Sequence, residues 1–400
     1  MKNKTEEKKP ENQVDLYKVL GIASNKSDIS TSFKSIITND YPQAFVNIST
    51  DPSNPDKRIT MHADGDGSKF IQRVLDYYEN KNPEIFSGMV DDGISMNTGD
   101  ISATGFVETI RFIDVLDIGN NELKDVVVHQ IKKRLGELIK LYSKYCFDFK
   151  SFGGETAQLP YQVKSGVFNV AVTAWAHKED IIAGNTQIGD VILGLHSDGQ
   201  AAWEERPNSG VMSNGLTLIR SGLMDTSFND KYPDLGDGKF YKGQYFPNDL
   251  PDILQGMSVS EAILSPTRHW AIVIKKIIQE LKKRGILYML HGISINTGGG
   301  ATKIANIGKG VTYVKNMPLP PSLFRFIQSE TEQPWEHMYT TFNSGIGVDI
   351  VGSNRLSFME AVQTAIYQCE LKMSELGHVI SSPDSKNHVI LTTPYGKFEY

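Results

Sequence analysis

Carboxylates set beside glycines are the most informative feature of this 400-residue sequence. Of four glycine clusters, Asp64-Gly65-Asp66-Gly67-Ser68-Lys69 and Gly153-Gly154-Glu155-Thr156 carry a carboxylate, and Ser213-Asn214-Gly215 and Thr297-Gly298-Gly299-Gly300 do not. Glycine leaves its backbone N–H unhindered, which is what close approach of a phosphate oxygen requires. A carboxylate next to phosphate repels it unless a cation bridges the two. Mg²⁺ is held in that way, by one or two carboxylates, waters and the nucleotide's own oxygens. Asp64, Asp100 of Asn97-Thr98-Gly99-Asp100, and Glu155 therefore suggest Mg²⁺–ATP, with Asp64 and Asp100 as metal ligands. Lys69 would neutralise phosphate charge. The bland alternative is that these glycines make turns and the aspartates cap helices. Asp91 and Asp92 are expected on a solvated turn, and Cys146 and Cys369 on apolar helical faces.

Two familiar nucleotide motifs fail. Gly65-Asp66-Gly67-Ser68-Lys69-Phe70 lacks the last glycine of the dinucleotide fingerprint. Gly308-Lys309-Gly310 lacks the Ser/Thr of a P-loop, and Lys303 stands where its first glycine should be.

The elements that must hold these loops alternate between short strands and longer helices, an α/β pattern. Ile59–Ala63 reads as a strand feeding the Asp64 turn. From Asn121 to Tyr145, Val128, Ile131, Leu135, Leu138 and Tyr142 share one helical face. Val167–Ala176 and Asp190–Leu195 read as strands, with Ala183-Gly184-Asn185-Thr186 as a hinge between two domains. Asp225–Gly256 is a loop-rich insert. Trp270, Ile274, Ile277, Ile278 and Leu281 mark a helix that stops at Gly285. Leu356–Leu376 is predicted as a helix closed by Gly377, before a last strand at Val389–Leu391.

Composition narrows the class. The net charge of −6 leaves no basic excess for wrapping nucleic acid or lying on an anionic membrane. Two cysteines exclude a disulfide framework or a cysteine-rich metal site. No apolar run approaches the roughly 18 residues of a membrane span, and Met1–Pro10 has no signal-peptide core. A soluble, cytoplasmic protein is expected.

The motifs also carry a resemblance. Gly153-Gly154-Glu155-Thr156-Ala157-Gln158-Leu159-Pro160 closely resembles the Gly-Gly-Glu-Thr-Ala-Glu-Met-Pro signature of the aminoimidazole ribonucleotide synthetase family, the phosphoribosylformylglycinamidine cyclo-ligases. Met338–Gly347 is similar to that family's Met-Tyr-Arg-Thr-Phe-Asn-Cys-Gly-Val-Gly, Asp64–Lys69 to its Asp-Gly-Val-Gly-Thr-Lys, and Ser213-Asn214-Gly215 and Pro266-Thr267-Arg268 to identical tripeptides. The order is collinear from about residue 60 to 350. Asp66 replaces a small apolar residue. Met212 stands where the family has His. The family's Ala-His-Leu-Thr-Gly-Gly-Gly becomes a segment in which His291 or Asn296 takes the histidine's place.

The resemblance implies a two-domain α/β (α+β) synthetase fold: a disordered tail at 1–12, an N-terminal ATP-binding domain at 13–183 and a C-terminal domain at 184–400. The N-terminal domains of a homodimer would close a β-barrel. The implied reaction is ATP-dependent ring closure of formylglycinamidine ribonucleotide in purine biosynthesis. The implied residues are Asp64, Asp100, Glu155 and His291 for catalysis, His291 as acid/base. Phosphate would lie on Gly65, Gly67, Ser68, Lys69, Gly153, Gly154, Thr156 and Gly298 to Gly300. The ribonucleotide would meet Ser213, Asn214, Gly215, Thr267, Thr341 and Asn343.

Overall fold

The computed structural model describes residues 19–20, 36–119, 121–236 and 238–400. The expected tail at 1–12 lies outside them. The first sheet has five strands: β1 (Ser49–Asp51), β2 (Asn54–Gly65), β3 (Thr109–Ile118), β4 (Asp148–Gln158) and β5 (Gly166–His177), in the order β1-β2-β5-β3-β4. Only β3 and β4 run parallel. Among the described residues the sheet is open, with β1 and β4 at its edges.

Period-2 alternation gives this sheet two unlike faces. Phe112, Phe168, Val170 and Val172 point into the core, towards α1 (Lys69–Asn80), α2 (Ser87–Ser102) and α3 (Asn121–Lys144). Met61, Ile113 and Phe152 on the other face are exposed, and with Arg111, Thr173 and Trp175 they line a groove of about 610 Å³.

The second sheet has seven strands: β6 (Val191–His196), β7 (Leu290–Ile295), β8 (Val311–Asn316), β9 (Ile346–Gly352), β10 (Met373–Ser381), β11 (His388–Thr393) and β12 (Gly396–Glu399), in the order β12-β11-β8-β10-β6-β9-β7. β6 and β9 are almost continuously apolar because both faces are covered. Leu193, Ile350 and Ile293 share a core with α4 (Leu216–Leu223), α5 (Trp270–Lys283) and α8 (Leu356–Tyr367). Ile192, Val351 and Leu376 pack instead with the 3₁₀ turn Gly300–Asn306 and α7 (Trp335–Thr341), which follows α6 (Ser322–Thr331).

Four local expectations need correction. Asp91 and Asp92 are not on a solvated turn; they are buried in α2. The helix predicted over 356–376 ends at Tyr367. Glu370 takes a left-handed φ of 58°, and the chain returns as β10, because β6 needs a strand between itself and β8. In α3 it is Val127 that is buried, and Val128 is exposed. Cys146 lies beyond the end of α3 and is exposed, while Cys369 is buried.

The two sheets are joined through α5. Trp270 is fully buried. A Cβ at Gly347 of β9 would overlap its ring, and one at Gly99 of α2 would sit 3.8 Å from its Cβ. We therefore expect Trp270→Ala to lower unfolding free energy by about 3–5 kcal/mol, the usual range for removing a buried aromatic. Urea unfolding followed by circular dichroism measures it, and a loss under about 1 kcal/mol would contradict this packing role.

Candidate active site

The Asp64 turn follows from strand alternation. Thr60, His62 and Asp64 fall on the helix side of β2, so Asp64 reaches the level of Asn97 and Asp100 on α2. Asn97 Nδ2 donates to the Asp64 carbonyl at 3.1 Å, and its Oδ1 lies 2.9 Å from His62 Nδ1. Asp100 Oδ2 is 3.5 Å from His62 Nε2 and 3.6 Å from Lys303 Nζ, while its buried Oδ1 has no hydrogen-bond partner among the described residues. Burial, and then the Asp100 charge, hold the Asp64 carboxyl above its usual range, against the N–H that Gly65 donates to it.

Lys303 links this pair to the Thr297 loop, donating to Thr297 Oγ1 at 2.5 Å. That loop needs its glycines. Gly300 has φ 56°, and a Cβ there would overlap the carbonyls of Tyr339 and Phe342. A Cβ at Gly298 would lie 3.2 Å from Asn214 Oδ1, and Asn214 Nδ2 is buried with no hydrogen-bond partner among the described residues. Thr217 Oγ1 donates to Ser68 Oγ at 3.2 Å, so the Ser213 loop abuts the Asp64 turn. Three of the four glycine clusters thus meet beside Asp64 and Asp100.

The fourth does not. Gly153, Gly154, Glu155 and Thr156 lie on the exposed edge strand β4. In register, Asp64 faces Val170, Val170 faces Asp114 and Asp114 faces Gly154. Three strand spacings put that cluster roughly 14 Å across the sheet from Asp64. His291 is also elsewhere. It opens β7, and its Nδ1 lies 2.8 Å from Asp190 Oδ2, whereas the Thr297 loop leaves the far end of the same strand.

Other expected contacts are engaged within the protein. Lys69 is fully buried and donates to Asp92 Oδ1 and the Ser265 carbonyl; burial pulls its ammonium down to about 8. Asn343 spends its amide on Ser197, Gly345 and the Gly210 carbonyl. Thr341 is buried in α7, and the Phe342 ring fills the space a Gly215 side chain would need. Met212 is buried with φ 57° and packs by Gly347. Asn296 binds Asp349 Oδ2 and the Ile346 carbonyl. Thr267 lies 3.1 Å from Ser213, hydroxyl to hydroxyl.

Sequence reasoning missed His62 and Lys303. The first had a signal, because it stands two residues before Asp64 on a strand. The second had none, since only folding brings residue 303 to residue 100. Among the described residues no group of three or more His, Cys, Asp or Glu side chains is placed to hold a metal ion. Two carboxylates, one with a buried unpartnered oxygen, still fit a hard cation whose remaining ligands are water and phosphate.

No family model matches the chain. Among solved structures it is similar to phosphoribosylformylglycinamidine synthase II from Thermotoga maritima, with a TM-score of 0.56 and 11% identity, covering 96% of this chain but only 50% of that one. It is similar also to the structure of a HypE–HypF complex, with a TM-score of 0.52 and 13% identity over 93% of this chain and 97% of that one. At such identities these show the fold. The phosphoribosylformylglycinamidine cyclo-ligase of Methanocaldococcus jannaschii is 31% identical over 298 residues, 74% of this chain and 71% of that protein. Its counterpart in Desulfitobacterium hafniense is 26% identical over 84% of this chain and 85% of its own. With its glycine loops gathered around paired carboxylates and that extent of shared sequence, the chain belongs to the phosphoribosylformylglycinamidine cyclo-ligase family of enzymes.

Proposed function

We propose that this protein closes the imidazole ring of aminoimidazole ribonucleotide from formylglycinamidine ribonucleotide, using ATP. The amide oxygen is a poor leaving group until it is phosphorylated. Transfer of the γ-phosphoryl group to it makes an iminophosphate, and the neighbouring amidine nitrogen then attacks and expels phosphate. Such chemistry depends on positioning and charge stabilisation more than on a protein nucleophile. The supporting observation is the meeting of Asp64, Asp100 and Lys303 with the Thr297–Gly300 loop. Bound Mg²⁺ would neutralise charge on the polyphosphate; Asp64 and Asp100 would hold it, and Lys303 would face the same phosphates. Met212 and Asn296 bring no titratable group, which favours one rival, another phosphotransfer on this fold. ADP release with and without formylglycinamidine ribonucleotide separates the two: release that ignores the ribonucleotide supports the rival.

We further propose that residues 13–183 and 184–400 form separate domains, and that two chains pair through the exposed face of the five-stranded sheet. That apolar face, with β4 as an open edge, is what a second copy would cover. Pairing also offers a role to the Gly153–Thr156 cluster, which stands apart from Asp64 within one chain. A small ribonucleotide is the expected substrate and the cytoplasm the expected setting.

Asp64→Asn and Asp100→Asn should each cut Mg²⁺-dependent turnover by at least about tenfold, a loss of only about 1.4 kcal/mol of transition-state stabilisation. Near-normal rates in both would remove the metal assignment. The same Asp64→Asn change should stabilise the metal-free protein at pH 7.5. A carboxyl whose folded-state pKa is raised costs stability above that pKa and none below its unfolded value, so the gain should shrink as pH falls towards 4. Thermal midpoints at both pH values check it; a lower midpoint at pH 7.5 would refute the strain. For the dimer, sedimentation should give twice the chain mass, and Phe152→Asp should shift it towards one; a wild-type monomer would count against pairing.

A further inference from the structure

The direction of two hydrogen bonds, Thr267 to Asp92 and Ser213 to Thr267, determines what the Ser213 loop can recognise. Asp92 is fully buried, and its carboxylate takes four donors. Oδ2 accepts from Arg73 Nη2 at 2.7 Å. Oδ1 accepts from Lys69 Nζ at 3.0 Å and from both the N–H and the hydroxyl of Thr267 at 2.7 Å. A carboxylate held by four donors can only accept. The single hydroxyl proton of Thr267 is therefore committed to Asp92, and Thr267 Oγ1 has only lone pairs left for Ser213, whose Oγ is 3.1 Å away. Ser213 must be the donor in that bond. Its proton is then spent too, and its remaining capacity is as an acceptor. Ser213 keeps 9% of its surface exposed, beside Asn214, Gly298 and the Asp64 turn.

We propose that Asp92, acting through Thr267, orients Ser213 as a hydrogen-bond acceptor, so that this loop recognises a donor group of the substrate, a ribose hydroxyl or an amidine N–H, and not a phosphoryl oxygen. Phosphate oxygens would repel lone pairs aimed at them and belong to the backbone N–H groups and Lys303 instead. Asp92 and Thr267 are positioning residues; neither needs to touch the ligand. The inference rests on the reading of these loops as a ribonucleotide site, but not on the ring-closing reaction.

The test compares equilibrium binding of formylglycinamidine ribonucleotide, ribose 5-phosphate and pyrophosphate to the full-length wild type and to Thr267→Val, Thr267→Ser and Ser213→Ala. Thr267→Val is close in shape, keeps the N–H bond to Asp92 and frees the Ser213 proton. It should weaken the ribonucleotide about three- to tenfold, the worth of one hydrogen bond, with pyrophosphate unchanged or tighter. Thr267→Ser, which restores the hydroxyl, should bind as the wild type does. Ser213→Ala should match Thr267→Val on the ribonucleotide. Parallel loss of ribose 5-phosphate places the donor on the sugar, and loss confined to formylglycinamidine ribonucleotide places it on the amidine. Equal loss of pyrophosphate, no loss of any probe, or failure of Thr267→Ser to rescue would overturn the proposal. Thermal midpoints of each variant separate loss of binding from loss of fold. A wild type that binds these probes without turning over the ribonucleotide would end the ring-closure reading and leave this inference standing.

Discussion

The carboxylate of Asp92 is the point on which the two sheets are hung together. Removing an ion from water costs several kcal/mol, and only near-complete hydrogen bonding offsets it. Asp92 achieves that with donors from two parts of the chain: Lys69 and Arg73 on α1, and Thr267 from the segment that leads into α5. Asp91, next to it on α2, grips His269 at 2.9 Å and Arg134 at 2.7 Å, and those partners keep its carboxyl well below the ordinary range despite burial. Arg268, between the two gripped residues, turns the other way to Glu204 and the carbonyls of His196 and Gly199. Ser265–His269, buried at every residue but Pro266, is thus a strap held from both sides. Loss of one partner from such a pair costs about 3–5 kcal/mol, because the other charge is left stranded.

Asp66 shows the cost of crowding that centre. It is fully buried, neither oxygen has a hydrogen-bond partner among the described residues, and Arg73 Nε lies 4.0 Å from Oδ2. Burial raises its pKa well above the usual range, and the Asp92 charge adds to the effect. The neutral acid is the form such a site favours. Asp64 is part-buried and Asp100 buried, and the Asp100 charge helps to raise the Asp64 carboxyl. That arrangement is unfavourable for an empty site and favourable for one that takes a cation, the usual conflict between stability and function.

Beneath the Thr297–Gly300 loop lies a second buried pair. Lys315 donates to Asp349 at 2.6 Å and to the Ala301 carbonyl at 3.0 Å, and Asn296 completes the group. An amide at Asn296 can donate to that carboxylate and accept nothing from solvent, so it supports the loop without titrating. Met212, by Gly347 and near Trp270, likewise serves packing. Met212 and Asn296 are thus both engaged in contacts within the protein.

The sequence alone located the glycine turns after Asp64, at Ser213–Gly215 and at Thr297–Gly300, because small side chains and left-handed φ have local causes; it read Gly153–Thr156 in the same way, and that cluster lies within a strand. It determined β2, β5, α3 and α5, whose apolar periodicity is local too. It misplaced Asp91 and Asp92, since two adjacent charges read as solvated until cations 43 and 19 residues away come to meet them. It overran α8 into β10, because helix and strand compete for the same apolar residues and the open flank of β6 decides. Gly153–Thr156 and His291 look like site residues by motif, but strand register and strand direction carry them away from Asp64 within one chain. Lys303 has no sequence signature, and although Ser213 and Thr267 stand in recognisable tripeptides, their link to Asp92 has none. Their chemistry depends on which side chain donates to which, and that is set only when segments far apart in sequence are packed together and each buried polar atom must find a partner.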